Sequence, residues 1–562
     1  MSLRKRTPPL IVCLGYMART IFILTFLGIT FAEEEVLRRS GLAVRPGCVE
    51  RTAIKETRSP FEMSVSETAA RRNSRQPSGL DVRDDRPEAP PHEAERSEPG
   101  YGRLTFRSSD ELLNKAFEWA KRQALGYVFR GDPVGDWYEA ALPKREAFCM
   151  RDVSHQAAGA NALGLQAFNK NMFRRFAENI SEAKDWCTYW EINRYNKPAP
   201  VDYRNDREFW YNLPSNFDVL DAMWRQYLWT GDKDYLDDPV FLNFYERSVK
   251  DYVERWELTP EKIMARKPFM NLAVTLNPED SFHTSRGLPS YNEDEPGMNV
   301  GADLPAAQGA AYAAYANIRR LRREAAEADR FFRKAIELKD FFHRTWWNAE
   351  KKVYAVFHYP DGRFGTGIGQ EFLLYWGATA EGTPTRQAIE NMLNLKNINI
   401  EMRSYYPEIF YRNGENTAAY RTILYLCDET TPRREYPEVS YAVIGAISQG
   451  MMGVEADARD GVVATLARLP NDWGDEDWAE VRDVPVLNSV IGLKHSGLRA
   501  TEFRNMGLRA MIWRASFQGK HDKIAVAGIK MKAEHKTATD GRVISFVTVP
   551  VKPGDTLRAS IK

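Results

Sequence analysis

The chain has 562 residues, with 78 Lys and Arg against 77 Asp and Glu and a formal charge of +1. That balance supplies no field to attract nucleic acid or an anionic membrane, so neither is expected as a partner. The 28 Phe, 14 Trp and 25 Tyr are unevenly spread: Phe61 is the sole aromatic between Glu33 and Gly100, and every Trp lies at 119 or beyond.

The segment from Met17 to Ala32 has one positive charge, an apolar run and a small residue before Glu33. This is the layout of a secretory signal peptide, with Met17 a better start than Met1. It implies a secreted or periplasmic protein with no stable membrane association once residues 1–32 are removed. Residues 33–100 mix Arg, Glu, Ser and Pro without apolar periodicity and read as a disordered tether.

From Ser108 the pattern becomes helical. Ser108-Ser109-Asp110-Glu111 offers a capping start, and Leu112, Leu113, Phe117, Ala120 and Ala124 recur at helical spacing. Similar segments are predicted near 152–168, 170–188, 214–230, 238–256, 303–323, 325–346, 369–379, 384–395, 415–427 and 438–453, with a further one near 403–411. Tight connections alternate with long ones at 129–151, 189–213 and 257–302. That alternation suits antiparallel helical hairpins arranged in a ring, an (α/α)6 toroid over 101–454, with the long loops gathered at one end as a site. After Val454 the texture turns to period-two alternation, in 462–466, 508–513, 523–531 and 543–551, which predicts a small β-sandwich over 455–562.

The five Cys show no paired spacing, so a disulfide framework or zinc ribbon is not expected, although a single Cys149–Cys187 bridge stays open beside buried free thiols. No GxSxG or HExxH motif occurs, and no metal or cofactor is expected. Asp232 to Asp238 reads as a solvated helix start rather than a calcium loop.

The first long loop, from Asp132 to Gln156, interleaves acids, bases and the adjacent Trp137 and Tyr138. Sugar recognition needs flat aromatic faces and charged groups that grip hydroxyls, and glycosidic cleavage needs two carboxyl groups, one protonated and one ionised. Pro143-Lys144-Arg145-Glu146, followed by Arg151-Asp152, resembles the Pro-Gln-Arg-Glu…Gly-Asp stretch of α-L-rhamnosidases, whose Glu is the general acid. The Arg151-Asp152 pair also resembles the one by which glucoamylases hold the sugar in the cleavage subsite. This likeness to the six-hairpin glycosidase superfamily, over roughly 101–460, implies a glycoside hydrolase of the (α/α)6 class, with inversion, Glu146 as acid, and an oligosaccharide or polysaccharide substrate. Two departures stand in it: Ala141 occupies the place of an acid in the rhamnosidase pattern, and the spacing from Glu146 to Asp152 is one shorter.

The partner carboxylate should precede the last barrel helix. Thr430-Thr431-Pro432-Arg433-Arg434-Glu435 resembles the rhamnosidase Thr-Thr-x-Trp-Glu stretch without its Trp, and both Glu435 and Glu438 are candidates, Glu438 preferred. Glu279 and Asp280 lie in the loop that carries the glucoamylase acid, and are the alternatives to Glu146. In the same loop, Glu293-Asp294-Glu295 reads as a solvated face, and Asp303 followed by Pro305 as a plain helix cap. Trp190 and Trp210, packed among amides and acids, are candidates for sugar stacking or for wedging loops against the rim. Two rival readings stay open: a polysaccharide lyase using His155 or His283 with a Tyr, and a carbohydrate-binding protein without activity, given Ala141.

Overall fold

The computed structural model describes residues 100–267, 285–293 and 295–562. The signal and tether segments, Glu279, Asp280 and His283 lie outside the described residues. Among those described, no helix is long and apolar enough to cross a membrane.

Twelve helices carry the architecture: α1 (Glu111–Gly126), α2 (Met150–Ala162), α3 (Gln166–Glu178), α4 (Pro214–Thr230), α5 (Pro239–Val249), α6 (Asp303–Leu321), α7 (Ala325–Trp346), α8 (Gln370–Tyr375), α9 (Thr383–Asn394), α10 (Tyr406–Arg412), α11 (Asn416–Cys427) and α12 (Pro437–Gly445). Shorter helical turns intervene, and a π-helical stretch over Ala446–Met451 prolongs α12. The start of α1 is fixed by Asp110, whose carboxylate accepts the Leu113 N–H at 2.8 Å. The odd-numbered helices are amphipathic: α7 buries Ala328, Phe331, Phe332, Ala335, Leu338, Phe342 and Trp346, one stripe at helical spacing.

The even-numbered helices are sheathed on nearly all sides, and every residue of α12 is buried. They follow one another in contact, α2 on α4, α4 on α6, α6 on α8, α8 on α10, α10 on α12, and α12 returns to α2. Each odd-numbered helix packs outside this circuit, α7 on α6, α9 on α8 and α11 on α10.

The return contact from α12 to α2 is a crossing without side chains. A Cβ at Gly159 would overlap the Tyr441 carbonyl, and one at Gly445 would come within 3.1 Å of the Gly159 nitrogen. Asp152 and Glu438 each lie seven residues, about two turns, before their glycine. The two helices run in the same direction and in step, so contact at the glycines forces the two carboxyl groups together.

Strands β1 (Thr105–Ser108), β2 (Ala147–Cys149), β3 (Glu191–Asn193), β4 (Glu455–Asp457), β5 (Val462–Leu466), β6 (Trp478–Val486), β7 (Ser489–Ser496), β8 (Ala500–Asn505), β9 (Met511–Gln518), β10 (Lys523–Val526), β11 (Ile529–Lys532), β12 (Glu534–Thr537), β13 (Val543–Val551) and β14 (Thr556–Ser560) include two larger sheets. One has the order β1-β6-β7-β8-β14-β10-β11 and the other β4-β5-β9-β13-β12. Trp513 and Phe503, one from each sheet, stack with centroids 5.0 Å apart. Because β1 pairs antiparallel with β6, the first described strand joins the edge of the C-terminal sheet before the chain enters α1. Residues 100–562 accordingly form one compact unit.

Cys149, Cys187 and Cys427 are free thiols, so the bridge left open between the first two is not formed.

Candidate active site

The connections leading into α2, α4, α6, α10 and α12 meet around a cavity of about 210 Å³. Arg145, Cys149 and the neighbouring Ala141 and Leu142 come from the loop before α2, and Arg151 and Asp152 from its first turn. Trp190, Glu191, Asp202 and Trp210 come from the loop before α4, Glu293 from that before α6, Glu401 from that before α10, and Tyr436 and Glu438 from the start of α12. The small antiparallel ladder of β2 and β3, with Cys149 opposite Glu191, ties the first two loops together.

Six carboxyl groups thus face two guanidinium groups. They fall into two clusters. In the first, Arg145 Nη1 donates to Glu191 Oε2 at 2.6 Å and lies 3.5 Å from Asp202 Oδ2. In the second, Arg151 lies 3.5 Å from Asp152 Oδ1 and 3.3 Å from Glu401 Oε2, with its guanidinium 5.7 Å from the centre of the Tyr291 ring. Within each cluster two carboxyl groups are in hydrogen-bonding reach of one another, Asp152 with Glu438 and Glu191 with Asp202. Two buried carboxylates in contact cannot both be ionised at low cost, so each pair holds a proton.

Burial is the main cause of that retention. It pushes the Glu438 carboxyl well up, aided by the neighbouring Asp152 and Glu401 charges. It raises Asp152 as well, against the opposing pull of Arg151. Asp202 is held well above its ordinary range by burial and by Glu191. Asp152 Oδ1, Glu191 Oε1, Asp202 Oδ2, Glu438 Oε2 and Arg151 Nε are buried, and none of them has a hydrogen-bond partner among the described residues. Buried polar atoms are rarely left so, and here they line a cavity that a polar ligand fits. Trp190 and Trp210, 8% and 5% exposed, supply its flat apolar walls.

Arg151, Asp152, Trp190, Trp210 and Glu438, all singled out in the sequence, are brought together here. Glu146 is not. It has a positive φ of 51°, its carboxylate accepts from Arg194 Nη1 at 2.6 Å, and its side chain is half exposed outside the cavity wall. Trp137 is fully buried, stacked on Phe129 at 4.6 Å and donating from Nε1 to Asp132, so it is core rather than a sugar platform. Glu435 is exposed and contributes its backbone carbonyl, which accepts from the Tyr127 hydroxyl.

The run at Glu293 is not a solvated face, for Glu293 lines the cavity and accepts from Asn212 Nδ2 at 3.0 Å. Asp303 is not a plain cap either: it is buried, and its Oδ2 accepts the Tyr291 N–H at 2.6 Å. His155 lies away from the cavity wall, stacked on Tyr405 at 3.6 Å and bonded to Ser404, and burial with nearby Arg225 and Arg151 lowers its pKa to about 3. Such a buried ring, off the cavity, does not suit the lyase base at His155, and His283, the other candidate for it, lies outside the described residues.

No local signal in the sequence points to Glu191, Asp202 or Glu401. Each lies far along the chain from its arginine, Arg145 or Arg151, and no local spacing signals such a pair. Among the described residues, no group of three or more His, Cys, Asp and Glu is arranged to hold a metal ion.

Comparison with solved structures places this fold beside those of rhamnosidases. An α-L-rhamnosidase from Dictyoglumus thermophilum superposes with a TM-score of 0.52 and 14% identity, covering 82% of this chain and 50% of its own. A GH78-family rhamnosidase from Bacillus sp. GL1 does so with a TM-score of 0.50 and 16% identity, covering 72% of this chain and 40% of its own. The chain spans half or less of the length of these enzymes, and at such identity the likeness is one of fold. No family profile matches the sequence, and no curated protein matches it.

Proposed function

We propose that the protein is a glycoside hydrolase of the (α/α)6-barrel class, acting by carboxylic acid and carboxylate catalysis. The observation that carries this reading is the facing of two proton-sharing carboxyl pairs, Asp152 with Glu438 and Glu191 with Asp202, across a cavity walled by Trp190 and Trp210. The closed circuit of even-numbered helices supports the barrel, and the fold likeness to rhamnosidases supports the class.

In this reading Glu438 is the acid. Its carboxyl retains a proton because it is buried beside Asp152 and Glu401, and it donates that proton to the glycosidic oxygen as the bond to the sugar breaks. Glu191, hydrogen-bonded to Arg145 and beside the proton held by Asp202, is the base that takes a proton from the attacking water. Arg151 fixes Asp152 and Glu401 in place and keeps the acid pair in register. Water and glycoside give a hemiacetal sugar with a new reducing end and an alcohol, and the enzyme is restored when the proton returns from Glu191 to Glu438 through solvent. Glu146, expected from the rhamnosidase likeness to be the acid, is assigned a rim ion pair instead.

The test is a screen of aryl glycosides and of plant and microbial oligosaccharides for new reducing ends, with the anomer of the first product read by NMR. Release of reducing ends without new ultraviolet absorbance supports hydrolysis. A product carrying a C=C absorbance would establish the lyase instead, and sugar binding without any cleavage would establish the binding protein. Export is part of the proposal and rests on the segment from Met17 to Ala32; N-terminal sequencing of secreted protein beginning at Glu33 supports it.

A further inference from the structure

The two arginines of the cavity are already committed. Arg145 faces Glu191 and Asp202, and Arg151 faces Asp152 and Glu401. An anionic group entering the cavity meets carboxyl groups that outnumber these two guanidinium groups three to one. The excess runs the other way: six carboxyl groups line a space of about 210 Å³, and four of them, Asp152, Glu191, Asp202 and Glu438, are 8%, 2%, 5% and 3% exposed. Apart from the carboxyl–carboxyl contacts described above, each of those four has one oxygen with no hydrogen-bond partner among the described residues. Glu293 adds a further carboxylate to the same wall.

Such a cavity is short of donors and of positive charge. A neutral hydroxyl satisfies one acceptor at a time, whereas an ammonium carries three donors and a full charge, and its bonds to carboxylates are about twice as strong as neutral ones. The indole faces of Trp190 and Trp210 accept the C–H face of a sugar ring and also stabilise a nearby cation. A metal ion is the other way to satisfy clustered carboxylates, but the described residues hold no ligand group arranged for one.

We propose that the sugar bound in this cavity is an amino sugar, its protonated amine held at Asp202 and Glu293, and that uronic acids are rejected. This deepens the carbohydrate reading above and rests on it. Binding carries a linked consequence. An ammonium beside Asp202 replaces the proton its carboxyl retains while Glu438 keeps its own, so the complex releases protons to solvent.

Isothermal titration of the full chain at about pH 7, in buffers of different ionisation enthalpy, measures both effects. The probes are glucosamine, galactosamine and mannosamine, each beside its hydroxyl counterpart, with glucuronic acid and ethanolamine as controls. At least one amino sugar is expected to bind tenfold or more tightly than its counterpart, with net proton release, and Glu293→Gln is expected to reduce that preference. Equal binding of the hydroxyl sugar, uptake of protons, binding of glucuronic acid, equal binding of ethanolamine, or no binding of any amino sugar would overturn the proposal. Turnover of neutral glycosides with no amino preference sinks this inference and leaves the hydrolase. Amino-sugar binding without turnover does the reverse.

Discussion

Asp152 and Glu438 stand side by side because Gly159 and Gly445, seven residues further along their helices, let α2 and α12 touch backbone to backbone. The distance between two carboxyl groups at the mouth is thus set by two missing side chains lower in the wall. Gly159→Ala would push its Cβ into the Tyr441 carbonyl, a strain of the kind that costs about 1–3 kcal/mol in packed cores. A lowered melting temperature together with a fall in kcat is expected. A substituted protein with full activity and stability would show that the helices have room to spare.

Glu438→Gln keeps the shape of the side chain and removes its proton chemistry. Loss of general-acid assistance is expected to lower turnover by about 10²–10⁴-fold. Stability should hold or rise, since the substitution relieves a buried carboxyl pair of its shared proton. Circular dichroism and denaturant titration beside the kinetic assay separate the two effects.

The tryptophans divide by position. Trp137→Ala removes a fully buried ring from the core and is expected to destabilise the fold by about 3–5 kcal/mol. Trp210→Ala acts on the cavity wall and should raise KM for the sugar more than it lowers Tm. Parallel thermal melts and kinetics of the two variants check the contrast.

Three further acids give the protein a characteristic response to pH. Burial is the main cause that carries Asp218 from 3.8 to about 7 and Glu371 from 4.5 to about 7, with Asp303 raised to about 6. Their folded states hold protons that the unfolded chain releases near pH 4, so stability falls as pH rises from about 4 to 7 and levels off above. For Asp218 alone that loss is on the order of 4 kcal/mol. Asp218→Asn is expected to shrink the difference in unfolding free energy between pH 4 and pH 8. An unchanged difference would show that Asp218 titrates normally in the fold.

The helices were legible in the sequence because burial leaves a periodic signature. Segments 214–230 and 325–346 form as expected, as do strands 462–466 and 543–551. The expected segment 170–188 ends early, at Glu178, where Asn179 caps the helix and its side chain bonds back to the Arg175 carbonyl. Strand β1 escaped notice because four residues carry too little pattern, and its partner β6 lies at the other end of the chain. The site was legible only in part. Arg151-Asp152 and Glu438 sit at helix starts, where spacing and resemblance both point, whereas Asp202 and Glu293 enter the cavity from irregular loops and Glu401 from a single short helical turn. Glu146 stands apart from the cavity for a related reason. The motif around it matches the rhamnosidase stretch in letters, but the left-handed turn at Lys144 and Glu146 directs its carboxylate to Arg194.

The central claim is that the acid lies at Glu438 and not at Glu146, and one comparison tests it most directly. Once a hydrolysed aryl glycoside is in hand, the turnover of Glu438→Gln and Glu146→Gln is measured in the same assay. Glu146→Gln loses an exposed ion pair worth about 1 kcal/mol or less, and wild-type turnover within about twofold is expected. Glu438→Gln is expected to fall by about a hundredfold or more. Full activity in Glu438→Gln with loss in Glu146→Gln would contradict the account and return the acid to the rim.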